Sequence, residues 1–290
     1  MSRIFGALKI IVVLLLDFMG IYAVFQDLYI ASIVVGVITL YVLFGGYIAL
    51  MKDGAVNAEN LPMYQRSRFE TAKTQLVSDV KSISNDNISK LKLYLVPGDD
   101  ELNATAYGFN CVSVTQGTFN NIDPITLNAI LAHEISHILN LDAEFNRVIF
   151  CSVTILIGAL SMMSFVTVVI IFLLFLILRG FRSWLGVMAF QGTIKVISGL
   201  FGLLQRGIVM IYRSLLGLAS RHAEYRSDKY SFMLGYNVQL LHFLSIAESN
   251  SKRQLTLSEA IYHSHPPTVK RIARLEKLML TESIIDISDE

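Results

Sequence analysis

The chain has 290 residues, of which 53% are hydrophobic and 16% charged, with a formal net charge of +1. Soluble domains average about 25% charged residues; here the shortfall is concentrated in long apolar runs, so membrane segments accompany a soluble part. The near-neutral balance gives no electrostatic footprint for nucleic acid, and two cysteines without a C-x-x-C pair point away from a disulfide framework or a cysteine metal site.

Ile4 to Phe25 is the first apolar run, interrupted by Lys9 and Asp17, and Leu28 to Leu50 is the second, with no charged residue. Each offers the roughly 20 apolar residues that a membrane helix needs. Only Gln26-Asp27 lies between them, so residues 1–51 read as a transmembrane hairpin. A cleavable signal peptide is the alternative for the first run. Its length, and the second run that follows at once, favour a retained anchor.

Residues 52–147 read as the first part of a soluble domain. Lys52 to Asn60 is a polar linker. Met63 to Ser84 is helical, with Phe69, Leu76, Val80 and Ile83 at helical spacing. Leu91 to Val96 alternates and stops at Pro97-Gly98, the mark of a strand. Asn103 to Tyr107 and Cys111 to Thr115 are two further short strands parted at Gly108. Asp123-Pro124 opens a helix, with Asp as cap and Pro at the first helical position. That helix runs through Ile130, His133, His137 and Leu141, which share a face expected to be buried.

Residues 148–218 read as a second hydrophobic hairpin. Val148 to Leu178 carries no charge and is longer than a bilayer requires, so it tilts or projects into water. Trp184 to Leu218 contains Lys195, Arg206 and Arg213 on one helical face, near Gln191, Gly199 and Gly202. In a span such a stripe faces a bundle interior or a wet cavity. The alternative is an amphipathic helix lying on the membrane surface. Spanning leaves 52–147 and 219–290 on one side, as two parts of one domain. Arg3, Lys9 and the many Lys and Arg of those two segments place both termini and the soluble part in the cytoplasm, with Arg179 and Arg182 as dissenting charges.

The chemistry lies in His133-Glu134-Ile135-Ser136-His137, an H-E-x-x-H motif. Histidines four apart on a helix can share one metal ion, and the glutamate beside them can take a proton from water, as in zinc peptidases. In isolation the motif also occurs by chance, with histidines that merely pack. Two histidines leave zinc short of a third protein ligand. Arg221 to Asp228 supplies a candidate in Glu224, with Asp228 four residues on, able to orient a ligating histidine through its other ring nitrogen. A solvated charged helix face is the bland alternative. His222 is a rival ligand, but it points about 200° from Glu224 on the helix.

With these residues the chain resembles the HtpX-type and CAAX-prenyl-protease-type family of integral-membrane zinc metallopeptidases, and the HtpX-like branch above all. Asn103-Ala104-Thr105-Ala106-Tyr107-Gly108 looks like the family's N-A-x-A-x-G strand. Glu224-Tyr225-Arg226-Ser227-Asp228 looks like its E-[FY]-x-A-D motif, with Ser227 in place of the usual Ala. His265-Pro266-Pro267-Thr268 followed by Arg271 looks like its H-P-P-T-x-x-R element. The prenyl-protease branch has more spans than this chain supplies. The resemblance implies an α-helical membrane protein with an α+β, gluzincin-like metallopeptidase domain containing a small β-sheet. It implies one zinc ion per chain, a bacterial inner-membrane location, and cleavage of misfolded or damaged membrane proteins in quality control and stress response, with quality-control partners.

The expected roles follow. His133, His137 and Glu224 hold the metal, Glu134 is the base, and Asp228 orients a ligand. By resemblance, His265 or Arg271 stands near the oxyanion or supports the site. A structural histidine before a Pro-Pro helix start is the alternative for His265, and His263 is its rival. Asn103, Ala104, Thr105 and Ala106 bind substrate if their strand lies at an edge where a peptide can add to it; an ordinary hairpin strand is the alternative. A narrow-specificity processing protease and a catalytically idle metal-binding scaffold are the competing functions.

Overall fold

A computed structural model describes residues 2–84, 86–177, 184–250 and 267–288. The chain is mostly helical with one small sheet. By its internal contacts it divides into two compact units, Met1–Val148 with Gly217–Glu290, and Ile149–Leu216.

In the first unit, α1 (Ser2–Phe25) and α2 (Leu28–Lys52) form the expected hairpin. Gln26 turns the chain with a φ of 52°, and the Asp27 carboxylate caps α2 by accepting from the N–H groups of Tyr29 and Ile30. The hairpin's open end rests on the soluble body. A Cβ at Gly6 would lie 2.5 Å from the Asn140 carbonyl oxygen, and one at Gly46 would lie 2.3 Å from that of Tyr107. Glycine thus permits backbone contact at both places.

The sheet has the order β1-β2-β4-β3, with β1 Val56–Asn57, β2 Lys92–Val96, β3 Ala104–Gly108 and β4 Cys111–Thr115. β2 and β4 run parallel, with Leu93 opposite Val112 and Leu95 opposite Val114. β3 pairs antiparallel with β4 and forms one edge. The core gathers Phe69, Leu76 and Val80 of α3 (Met63–Ile83), Leu93 and Leu95 of β2, and Val112 and Val114 of β4. Onto these pack Leu127, Leu131, Ile135 and Ile138 of the H-E-x-x-H helix. A short α4, Gln116–Asn121, capped by Thr115, leads into it.

That helix, α5, spans Pro124–Asn140, with Asp123 accepting from the N–H groups of Ile125 and Thr126. It ends one residue earlier than its periodicity suggests. Leu141 has a φ of 54° and donates its N–H to the carbonyls of His137 and Ile138. The next helix, α6 (Asp142–Ile177), begins at once, so the soluble body contributes its first turns before the apolar run starts. Leucine rarely adopts this left-handed conformation, and its apolar side chain continues the helical pattern, which hides the break. Likewise α7 runs unbroken from Trp184 to Met233 and carries the Glu224 segment as its C-terminal part. α8 (Asn237–Asn250) and α9 (Thr268–Ser288) pack on each other, and α8 packs on α5. α1, α2, α6 and α7 are long and apolar enough to cross a membrane. Leu178, Arg179 and Arg182 lie outside the described residues.

Candidate active site

The H-E-x-x-H helix passes under β3, and the C-terminal part of α7 lies beside it. Ser231 of α7 donates its hydroxyl proton to the Ala129 carbonyl at 3.0 Å, fixing the two helices against each other. Glu224, about two turns before Ser231, thereby faces both histidines. The Nε2 atoms of His133 and His137 are 3.2 Å apart. The Glu224 carboxylate stands 3.4 Å from the first and 3.6 Å from the second. The three donor atoms lie within 4.8 Å of one another and could hold one metal ion.

The other ring nitrogens are tied behind the site. His133 Nδ1 meets Asp228 Oδ1 at 3.0 Å. Arg271 of α9 clamps Asp228 with two donors, Nε at 2.9 Å and Nη2 at 2.6 Å, and its Nη1 reaches Glu224 Oε2 at 3.0 Å. His137 Nδ1 meets Asp142 Oδ2 at 2.9 Å, and Arg226 holds both oxygens of Asp142, at 2.8 and 2.6 Å. Each imidazole is therefore backed by a carboxylate, and each carboxylate by a guanidinium. A hydrogen bond at Nδ1 leaves Nε2 to face the cluster, the arrangement a metal-ligating histidine needs.

Charge follows from this packing. Burial alone would depress the His133 pKa, but hydrogen bonds to Asp228 and Glu224 outweigh it and push it up to about 10. Burial also opposes the charge on Arg271, and the same carboxylates more than restore it, raising its pKa.

The trio opens on a cleft of about 620 Å³. Glu134 lines it beside the histidines, and so do Asn103, Ala104, Thr105 and Ala106 along the β3 edge. Lys9, Ile130, Phe145, His222, Leu240 and Phe243 are also in its wall. The expected ligands, base, orienting aspartate and strand are thus brought to one place. His222 reaches the cleft without joining the ligand cluster. Arg271 is engaged by Asp228 and Glu224, two of the expected site residues. His265 and its rival His263 lie outside the described residues. Sequence reasoning missed Asp142 and Arg226. Asp142 stood beyond the expected helix end, and Arg226 read as part of a charged surface.

Comparison with known proteins gives the family. The profile of peptidase family M48 matches residues 70–279. A protein of Listeria monocytogenes described as a protease HtpX homolog is 27% identical over 215 residues, which cover 64% of this chain and 67% of that protein. The crystal structure of S. mikatae Ste24p is similar over 90% of this chain, with a TM-score of 0.53 and 20% identity, a likeness of fold. This chain spans 61% of that structure's length. With its apolar helices and its H-E-x-x-H helix, this integral-membrane chain belongs to peptidase family M48, a family of metalloproteases.

Proposed function

We propose that the chain is a zinc-dependent endopeptidase of membrane-protein quality control, with His133, His137 and Glu224 as the metal ligands. The observation that carries this reading is the convergence of two imidazole Nε2 atoms and one carboxylate beside Glu134, at the edge of β3. Two nitrogens and a carboxylate oxygen are the donor set of catalytic zinc, which keeps one position open for chemistry. When bound there, zinc would supply the Lewis acid that makes water nucleophilic near neutral pH and polarises a peptide carbonyl.

The chain's own residues do the rest. Glu134 accepts the proton of the attacking water at its carboxylate and passes it to the leaving amine nitrogen. Asp228 and Asp142 hold the imidazoles so that Nε2 keeps its lone pair for the metal. Arg271 helps keep the buried Asp228 ionised and reaches the Glu224 carboxylate. A substrate peptide adds to the β3 edge through backbone hydrogen bonds along Asn103 to Ala106, a mode tolerant of side-chain sequence. Such tolerance suits misfolded or damaged membrane proteins, presented from the lipid bilayer and by quality-control partners.

The resemblance to HtpX-type proteases supports a bacterial inner-membrane location, and the distribution of Lys and Arg supports a multi-pass protein with its catalytic part in the cytoplasm. The test is cleavage of an unfolded reporter by detergent-purified chain, zinc-loaded, as wild type and Glu134→Gln. Equal zinc content with cleavage only by wild type is the expected result. Equal cleavage by both would sink Glu134 as the base.

A further inference from the structure

The active-site cleft extends to α1, where Lys9 forms part of its wall. The other lysine and arginine side chains of that wall are committed, Arg226 to Asp142 and Arg271 to Asp228 and Glu224. Lys9 meets no carboxylate among the described residues. Its ammonium stands 5.9 Å from the centre of the Phe145 ring, a weak attraction beside an ion pair.

A lysine in an apolar helix is costly, and one that only had to escape lipid would reach for the headgroups. Lys9 is placed otherwise. It lies three residues after Gly6 and so shares its face of α1, the face in backbone contact with Asn140 at the end of α5. That face looks towards the cleft, and the side chain ends beside Phe145, three residues beyond Asp142.

We propose that Lys9 is a specificity-determining residue that receives a carboxylate of the substrate peptide. The inference rests on the peptidase reading above, because the ligand is the chain laid along β3. A carboxylate matches an exposed ammonium in the cleft wall by a charge-assisted hydrogen bond. An aspartate or glutamate side chain and a free C-terminus offer the same group.

Binding tests this apart from cleavage. Labelled peptides of one parent sequence, with Glu or Gln scanned along it and with a free or amidated C-terminus, are titrated into zinc-loaded, full-length Glu134→Gln chain in neutral detergent. At one position Glu should bind about tenfold tighter than Gln, or the free end tighter than the amide, as a charge-assisted hydrogen bond implies. The first pattern assigns a side-chain carboxylate and the second a terminal one. On the same background, Lys9→Met should bring that ratio to about one and Lys9→Arg should keep it, with zinc content unchanged in both. A ratio that survives Lys9→Met overturns the proposal, and so does the absence of any carboxylate preference. Binding that follows only added anionic lipid would assign Lys9 to headgroups and overturn it as well. The peptidase reading stands or falls separately, on wild-type cleavage.

Discussion

A ligating imidazole must offer one particular lone pair, and here each ring is set by a carboxylate that is itself held by an arginine. Asp142 meets His137 as Asp228 meets His133. Outer partners of this kind are worth about 10- to 100-fold in metal affinity. Asp142→Ala should therefore weaken zinc binding by about that factor in a chelator competition, although Asp142 touches no metal. Arg226→Met should cost less, because Asp142 keeps its bond to His137. Unchanged affinity in Asp142→Ala would mean that His137 needs no orientation.

The same charges give zinc binding a pH dependence. Without metal, Asp228 and Glu224 hold a proton on His133, with a pKa of about 10, against an ordinary 6.5. Because the folded pKa is raised, that proton stabilises the metal-free fold fully below about pH 6.5, and the contribution is lost as pH rises through about 10. Zinc must expel it, so affinity should rise about tenfold per pH unit between pH 7 and 9. A flat profile would show that His133 is already neutral. At this scale the sequence was legible where spacing speaks. His133, His137, Glu224 and Asp228 stand at intervals of four on two helices. Asp142 was not legible, because its approach to His137 depends on the left-handed Leu141 between two helices.

Elements hold the site through a few close contacts. Gly108 ends β3 with a φ of 90°, and a Cβ there would lie 2.2 Å from Glu144 Oε1. That oxygen accepts the Phe109 N–H at 2.8 Å, so the turn between β3 and β4 is fastened to the start of α6. Gly108→Ala meets both backbone strain and the clash, and should cost at least about 2 kcal/mol, read as a lowered thermal midpoint. A midpoint equal to wild type would show that the turn yields. Asp123 acts at the start of α5. Burial is the largest single influence and opposes its charge, but the Thr126 hydroxyl and the backbone N–H groups around it together hold its pKa below the usual value. Asp123→Ala should lose about 1 kcal/mol of stability at neutral pH. Because the folded pKa is depressed, that stabilisation is present above the unfolded value and fades as pH falls through the folded one. The difference from wild type should shrink in acid, and a constant difference would assign the loss to something other than the cap. Strand edges and helix starts were readable from alternation, Asp-Pro and Pro-Gly. The two-residue β1 and the short α4 were not, since their few residues carry no period.

At the scale of the whole molecule, the α1–α2 hairpin joins the peptidase body to the bilayer. Its open end rests on Asn140 and Tyr107, at the two sides of the catalytic elements. α2 has 25 residues, about 38 Å at about 1.5 Å per residue. That exceeds the roughly 30 Å of a hydrocarbon core. A hairpin that crosses would bring the turn at Gln26-Asp27 out on the membrane face opposite the catalytic cleft. In a chain carrying Cys111→Ala and Cys151→Ala, Tyr29→Cys places a thiol in the exposed first turn of α2, and Glu59→Cys places one on the exposed linker of the soluble body. In intact cells a membrane-impermeant maleimide should label the first and spare the second until the membrane is broken. Labelling of Glu59→Cys in intact cells with Tyr29→Cys protected would invert the orientation that the Lys and Arg distribution supports. Labelling of both before lysis would show that α1 and α2 lie along one face. The catalytic cleft would then draw its substrates from the surface instead of from beside a spanning hairpin.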